Sequence, residues 1–466
     1  MLPEYFKVGE KMIINKKQFL NLILLLLFLV IMLFFYLKNI DYTGKNVLIL
    51  FTFIANGTII IINILKDLRA FSLNKMFWYF SFFFLFLAPF FQYLTSYNCW
   101  DYVLEDRTYI RCNLYLILWY FVYSISNAIF LKKKNINIKC VELDLNYKKM
   151  KFMFLLSLLS FIILVTNISF SGLFVRNSNS MSIDYGAFKA ILENTLRAIP
   201  VYSLIYSFFC LKSYKKGYIY FIILLFITLS VNFPTSITRF WIGIVYIGIG
   251  LVVFRRYIIN RRFDYAMILI FTIVFPIFQL FKWYTIEQII DFTTISNKLI
   301  SVYNNVDFDA YSMLGRTIEY IDLNGITFGH QLLSTLFFFV PRAIWSTKPL
   351  PSGEFIAIQQ GQKFTNLSCP LIAEGLINFG IIGLILFALI LGKIISYFDS
   401  IFWKNFECTT FLYLIYPFGF GVLIFLLRGA MQPVVVYAFT FYFFTIFLKK
   451  FIIKNKNINY VKISKK

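Results

Sequence analysis

The stretch VLILFTFIANGTIIIINIL, residues Val47–Leu65, contains no charged side chain and is about as long as a bilayer-spanning helix must be. The wider composition agrees, because 60% of the 466 residues are apolar and only 14% are charged. Soluble chains are roughly 45–50% apolar and about 25% charged. A soluble protein of this length could not bury so much apolar surface. The sequence therefore predicts an all-α, polytopic integral membrane helical bundle.

Further apolar stretches divide the chain. On the criterion of about 20 mostly apolar residues, we predict about twelve transmembrane helices. They are Gln18–Leu37, Val47–Leu65, Met76–Leu94, Leu114–Leu131, Phe152–Ile168, Asn194–Leu211, Tyr218–Asn232, Phe240–Phe254, Tyr265–Phe281, Gly380–Tyr397, Thr409–Leu427 and Gln432–Leu448. Residues 1–281 then hold spans one to nine, 282–379 form one large loop, 380–448 hold the last three spans, and 449–466 are a basic tail.

Lysine and arginine gather on alternate loops, which sets the orientation. They precede the first span and follow the second, fourth, sixth, eighth and twelfth, so these segments share one side of the membrane. By the positive-inside rule that side is the cytoplasm, both termini are cytoplasmic, and the loop Lys282–Phe379 is external. The formal net charge of +23 is then mainly a topology signal, and nucleic-acid binding is not expected.

The cysteines and the search for metal- or nucleotide-binding motifs give little indication of function. Cys99 and Cys112 share one predicted external loop, where a disulfide and two free thiols are both compatible with an oxidising compartment. The sequence contains no CxxC pair, no Cys/His cluster and no GxxxxGK[ST] loop. We therefore predict no metal site, no cofactor and no direct nucleotide hydrolysis.

The large loop carries an apolar run that is too short to cross a bilayer. Gln331–Val340 should lie in the membrane interface or re-enter it. Pro341 ends the run, and Arg342, Trp345 and Lys348 follow on a proline-bounded turn. These residue types are ordinary interfacial anchors, and the same residues could also bind a ligand at the membrane surface.

Other cations on the external side are not explained by the positive-inside rule. They are Arg176, Arg239, Arg316 and Arg428. Arginine presents a planar fork that matches phosphate oxygens two at a time. Several such groups at one membrane face suit a lipid-linked phosphate or pyrophosphate, so these four residues, with Arg342, Trp345 and Lys348, are predicted to bind substrate.

An acceptor group would also need a base. Glu374 enters the apolar stretch before the tenth span, and burial raises the pKa of a carboxyl group, as a general base needs. His330, the single histidine of the chain, is a second candidate. Asp322 is a further loop carboxylate, and the reserve candidates are Asp307, Asp309, Glu319 and Glu354.

Several of these residues together resemble a known family. PRAIWSTKP (Pro341–Pro349), Gly353 and EGLINFGIIG (Glu374–Gly383), with DAY (309–311) and NGITFG (324–329) upstream, resemble the Wzy-type O-antigen polymerases, the oligosaccharide repeat unit polymerases of bacteria. The resemblance covers most of the chain through its topology, its large external loop and this signature. It also implies a fold similar to that of the GT-C type of integral-membrane glycosyltransferases.

The resemblance implies an activity and a location. Such an enzyme takes a growing glycan from undecaprenyl pyrophosphate and joins it to another lipid-linked repeat unit. The implied location is the bacterial inner membrane, and the implied partners are membrane lipid, a flippase and a chain-length regulator. A lipid-linked glycan ligase remains an alternative, with the same donor and a different acceptor. A lipid-linked oligosaccharide flippase is a third possibility, although a flippase should have short external loops and charged residues within its spans.

Overall fold

The computed structural model describes residues 45–132, 142–174, 187–211, 214, 217–258, 263–274, 303–406 and 411–453. This part of the chain consists of helices and turns, and its one strand-like pairing is an isolated β-bridge between Leu143 and Ile453. The main helices are α1 Val47–Lys66, α2 Leu73–Leu94, α3 Asp106–Lys132, α4 Tyr147–Ile168, α5 Ala187–Cys210, α6 Tyr218–Val231, α7 Arg239–Val253, α8 Phe263–Thr272, α9 Ala310–Asn324, α10 His330–Leu336, α11 Ser352–Gln359, α12 Leu371–Lys404, α13 Gly419–Arg428 and α14 Met431–Ile452.

Six helices in the described part of the chain are long and apolar enough to cross a membrane. They are α1, α2, α3, α4, α12 and α14, at the positions of predicted spans two to five, ten and twelve. The helices α6, α7, α8 and α13 are apolar but shorter. Predicted span six lies in α5, which carries Lys189, Glu193 and Arg197, and the first predicted span lies outside the described residues. The chain is thus a helical membrane protein by the length and composition of its helices.

Burial separates a central helix from helices with apolar outer faces. The apolar window of α2 is 94% buried, whereas that of α4 is only 22% buried. A polar solvent would not tolerate the many outward apolar side chains of α4, but lipid does. The difference supports α2 as a core helix of the bundle.

The described residues belong to two compact units. The first comprises Met1–Lys134, Val253–Asp399 and Val422–Val435, and the second comprises Asn135–Val252, Ser400–Gly421 and Val436–Lys466. In the first unit α2 packs its aromatic rings on α3, where Phe77 stacks on Tyr123 with ring centroids 3.8 Å apart. In the second unit a buried apolar cluster joins α4 to α6 through Leu164, Leu173, Ile227 and Val231.

The start of α2 is fixed by buried charges. Asp399 on α12 accepts hydrogen bonds from the Leu73 and Asn74 backbone N–H groups, as a carboxylate at a helix N-terminus should. On the next residue of the helix, the Lys75 ammonium lies 3.0 Å from both carboxylate oxygens of Asp264. The Tyr79 hydroxyl, one turn later, donates to the same carboxylate. We call Lys75, Tyr79 and Asp264 the Asp264 cluster.

The large loop, predicted to be external, is helical over most of its described length. It contains α9, α10, α11 and the first turns of α12, while residues 282–302 lie outside the described part. The helix α12 is kinked where Gly380 adopts φ 62° and ψ −146°, a conformation that a side chain would strain. The predicted start of span ten at Gly380 therefore coincides with this kink, and Glu374 sits on the short helical segment just before it.

Candidate functional site

The start of α9 gathers buried polar groups from distant parts of the first unit. Asp309, only 1% exposed, accepts hydrogen bonds from the Ser368 hydroxyl at 2.8 Å and from the Trp100 indole N–H at 3.1 Å. Arg428 at the end of α13 completes the set, because one of its Nη atoms lies 3.2 Å from Asp309 Oδ1. The carboxylate of Asp309 thus ties α9 to two loops and to α13.

The Arg428 guanidinium is hydrogen-bonded and ion-paired within the protein. Besides Asp309 it donates from Nε to the Asp307 carbonyl at 2.9 Å, and the Asp307 carboxylate lies 3.8 Å away. Two carboxylates therefore offset this cation. Any anionic ligand would have to compete with both of them.

Arg316, two turns into α9, is in a different situation. Its side chain is fully buried, and its Nε donates to the Gln360 side-chain oxygen at 2.7 Å. Its guanidinium carbon lies 4.4 Å from the centroid of the Tyr102 ring, a cation–π contact. Within the part of the chain that the structure describes, neither terminal nitrogen has a hydrogen-bond partner. Arg316 therefore offers two buried donors that the protein leaves unused.

The nearby carboxylate of Glu319 is already bonded to other side chains, so it does not accept from the terminal nitrogens of Arg316. Glu319, the nearest carboxylate on α9, accepts from the Tyr102 and Thr108 hydroxyls, both at 2.7 Å. Burial lowers the pKa of Arg316, and the neighbouring Tyr102, Asp309 and Glu319 side chains only partly oppose this effect. Burial and the Glu319 hydrogen bond raise the pKa of Tyr102 to about 12, so this ring stays neutral.

Glu374 is buried and held at both oxygens. It is 2% exposed, accepts from the Ser352 hydroxyl at 2.6 Å and accepts from the Met431 backbone N–H at 2.8 Å. Ser352 opens α11 and Met431 opens α14, so the carboxylate joins three helix starts within the first unit. The predicted burial of Glu374 is confirmed.

Ser352 was not anticipated as a functional residue, although the sequence contains a signal for it. A side chain on the adjacent Gly353 would place its Cβ 2.2 Å from the Leu367 carbonyl oxygen. Only glycine permits this backbone approach, which brings α11 against the 367–368 segment. The packing therefore requires glycine at position 353, and this close approach also sets the position of Ser352.

The cysteines of this region are buried free thiols. Cys99 and Cys112 are not joined, which decides between the two alternatives left open by the sequence. The reason is local, because Cys112 lies within α3 rather than in the predicted loop and packs inward. Cys369 is close to both acidic centres, since burial and then the charges of Glu374 and Asp309 raise the pKa of its thiol well above the ordinary value.

The proline-bounded turn is held by its own cations. The Lys348 ammonium is buried and donates to the Phe338 and Val340 carbonyls at 2.9 and 3.0 Å. Arg342 is exposed and donates to the Lys348 carbonyl at 2.7 Å. Trp345 is half-buried. These contacts stabilise the turn, and the predicted substrate contacts of the three residues stay predictions.

His330 is exposed at the first position of α10. Its loop is attached to the Glu374 segment, because the Asn378 side chain accepts from the Leu332 N–H and donates to the Glu374 carbonyl. The loop carboxylate Asp322 is exposed and pairs with Arg111, while the reserve candidate Glu354 is half-buried in the first turn of α11. The structure thus brings His330 and Glu374 onto linked segments.

The two remaining predicted cations fall elsewhere. Arg239 is exposed at the start of α7 in the second unit, and Arg176 lies outside the described residues. The second unit also contains a buried cation that the sequence did not flag, Arg197, which pairs with Glu193 and donates to the Val231 carbonyl. All three guanidinium nitrogens of Arg197 donate to protein acceptors, so it differs from Arg316.

Comparison with known proteins adds no relative. The chain matches no protein-family model, no curated protein and no solved structure. The geometry and the sequence signature therefore carry the functional argument.

Proposed function

We propose that this protein is a glycosyltransferase of the inner membrane that polymerises undecaprenyl-pyrophosphate-linked oligosaccharide repeat units for O-antigen or capsular polysaccharide. The observation that carries the proposal is the buried guanidinium of Arg316, whose terminal nitrogens have no partner. A buried charged group whose donors lack acceptors is costly. An anionic ligand would offset that cost, and pyrophosphate oxygens fit the fork of arginine.

The reaction needs charge stabilisation and a proton acceptor. The acceptor hydroxyl oxygen forms a bond to the anomeric carbon of the donor glycan, and the bond from that carbon to the pyrophosphate oxygen breaks. Undecaprenyl pyrophosphate leaves with the bonding electron pair, and a base takes the hydroxyl proton. Arg316 would stabilise the charge that develops on the leaving group. Arg342, Lys348 and Arg428 are further candidates for this role.

Glu374 is the preferred base. Its carboxylate oxygens act as acceptors toward Ser352 and Met431, so the group is already oriented. An acceptor hydroxyl could take the place that the Ser352 hydroxyl occupies. His330, on the loop linked to this segment through Asn378, is the second candidate.

The decisive experiment measures polymer chain length in cells that supply the lipid-linked repeat but lack this protein. Arg316→Ala should abolish the polymer ladder at unchanged protein level, and Arg316→Lys should restore it only in part, because a point charge cannot replace the fork. Glu374→Gln tests the base while keeping the side-chain shape. Arg107→Ala, an exposed arginine of the same unit, is the matched control and should support normal polymer.

Each alternative has its own result. Transfer of single repeats to a different acceptor, with no ladder, would favour the ligase. Accumulation of repeats on the cytoplasmic face without this protein would favour the flippase. Full polymerisation by both Arg316→Ala and Glu374→Gln would contradict the proposed site.

A further inference from the structure

The segment Phe328–Trp345 buries polar side chains and exposes apolar ones. Its helix α10 turns Gln331, Ser334 and Thr335 into the protein, where each is at most 5% exposed. The Ser334 hydroxyl donates to the Gln331 carbonyl at 2.8 Å within the same helix. This face is the reverse of what a short surface helix in water presents.

The outer face of the segment is a continuous set of large apolar side chains. Leu336 is 59% exposed and Ile344 is 79% exposed. The same face includes Phe328, Leu333, Phe337 and Phe339, all exposed. Exposed apolar patches of this size mark contact with another apolar phase. Gln331, Ser334 and Thr335 are buried while these apolar residues are not, so scattered surface exposure does not account for the pattern.

Two backbone carbonyls of the turn have a protein donor and so do not need water as a hydrogen-bond partner. Beyond α10 the chain is irregular, and its Phe338 and Val340 carbonyls accept from the buried Lys348 ammonium. Irregular backbone at membrane depth is tolerated only where protein groups satisfy it. Arg342 follows the apolar face and is exposed, which suits a cation at the level of lipid headgroups.

The position of the segment shows which apolar phase it meets. The Thr327 and Gly329 N–H groups donate to the Ile377 and Asn378 carbonyls at 2.8 and 3.1 Å, just before the kink of α12. Immediately after the kink, Ile382 on α12 is 68% exposed on a helix long and apolar enough to span a membrane. The apolar face is therefore attached where the outer surface of a candidate span begins.

We infer that residues Phe328–Trp345 insert into the bilayer interface, with Leu336, Phe337 and Ile344 in contact with phospholipid acyl chains. Lys348 then acts as a positioning residue, because it satisfies the carbonyls that the insertion removes from water. The inference does not depend on the proposed enzymatic function.

Fluorescence quenching tests the depth of the segment. A Leu336→Cys variant is labelled with an environment-sensitive maleimide and reconstituted in phosphatidylethanolamine and phosphatidylglycerol vesicles, with the labelled parent as blank for the native cysteines. Asn366→Cys, an exposed polar position of the same large loop, is the matched control. The Leu336 probe should show blue-shifted emission, quenching by lipids brominated near the headgroup, and loss of quenching by aqueous iodide. The Asn366 probe should behave oppositely.

Other outcomes would overturn the inference. Equal iodide quenching at the two positions would place the segment in water. Shielding that appears only after addition of polyprenyl phosphate would assign the surface to an isoprenoid chain, and shielding that depends on protein density in the vesicles would assign it to a second copy. A further variant, Lys348→Met, should restore iodide quenching at Leu336 if the ammonium holds the inserted turn.

Discussion

The Asp264 cluster and the Arg316 site both bury a cation in the first unit, but they treat its charge differently. Lys75 contacts both oxygens of Asp264, whereas Arg316 has one bonded nitrogen and two unused ones. A buried ion pair with its hydrogen bonds satisfied holds helices in register, while an unmatched buried cation destabilises the protein that carries it. The comparison indicates a structural role for the first cation, and it is the reason for proposing a ligand-binding role for the second.

The largest expected effect is on the paired cation. Lys75→Met removes the ammonium that Asp264 binds and should lower the free energy of unfolding by about 3–5 kcal/mol. The measurement is reversible unfolding of the purified protein in detergent. The double variant Lys75→Met/Asp264→Leu should recover most of the loss, since apolar pairs often replace buried ion pairs without cost. A silent Lys75→Met would remove the structural role.

Removing the Arg316 guanidinium should not lower the unfolding free energy, in contrast to removing the Lys75 ammonium. Arg316→Met removes a buried charge that no counter-charge satisfies, so the unfolding free energy should stay unchanged or rise. Polymer formation should fall by about 10²–10³-fold, the loss typical of removing one group that stabilises developing charge. Unfolding and polymer assays on the same preparation check both halves. A destabilised Arg316→Met would show that Arg316 is structural after all.

Substitution of Asp309 should lower the unfolding free energy by less than Lys75→Met and by more than Arg316→Met. Asp309→Asn keeps an acceptor but removes the charge opposite Arg428, and should cost about 1.5–3 kcal/mol, as for a hydrogen bond to a charged group. Ser368→Ala deletes a neutral donor to the same carboxylate and should cost less, about 0.5–1.5 kcal/mol. Unfolding in detergent ranks the two variants. The reverse order would mean that the Arg428 pair contributes little.

The sequence predicted many of the helices but not how the charges pair. Hydropathy located six of the spans, and the break at Gly380 fell where the predicted span began. The periodicity of hydropathy along the sequence does not show that Arg428 donates to Asp307, 121 residues away. Nor does it show that Arg316 donates to Gln360, 44 residues away. For the same reason Arg316, Arg342 and Arg428 looked equivalent in sequence, although their partners in the fold differ. Cys112 was assigned to a loop because charged and polar residues begin α3 before its apolar run.

The smallest effect belongs to an exposed ion pair. Asp322 at the end of α9 pairs with Arg111 on α3, and their side chains are 47% and 26% exposed. Water screens such a pair, so it should contribute only about 0.2–1 kcal/mol. The hydrogen bond from Arg111 lowers the pKa of Asp322, with burial opposing it. A lowered folded-state pKa gives stability that is present above the unfolded value of about 3.9 and disappears as the pH falls through the folded value.

The test of this pair compares Asp322→Asn with the parent protein. The parent should be slightly more stable near neutral pH, and the difference should shrink as the solution is acidified below the ordinary aspartate pKa. Added salt should shrink it as well, because exposed charges are screened. Asp101→Asn, at another exposed aspartate of the first unit, should change stability less at neutral pH. A difference that grows on acidification, or that resists salt, would mean that Asp322 is held by something other than this exposed pair, and the contrast between buried and exposed charges in the unit would weaken.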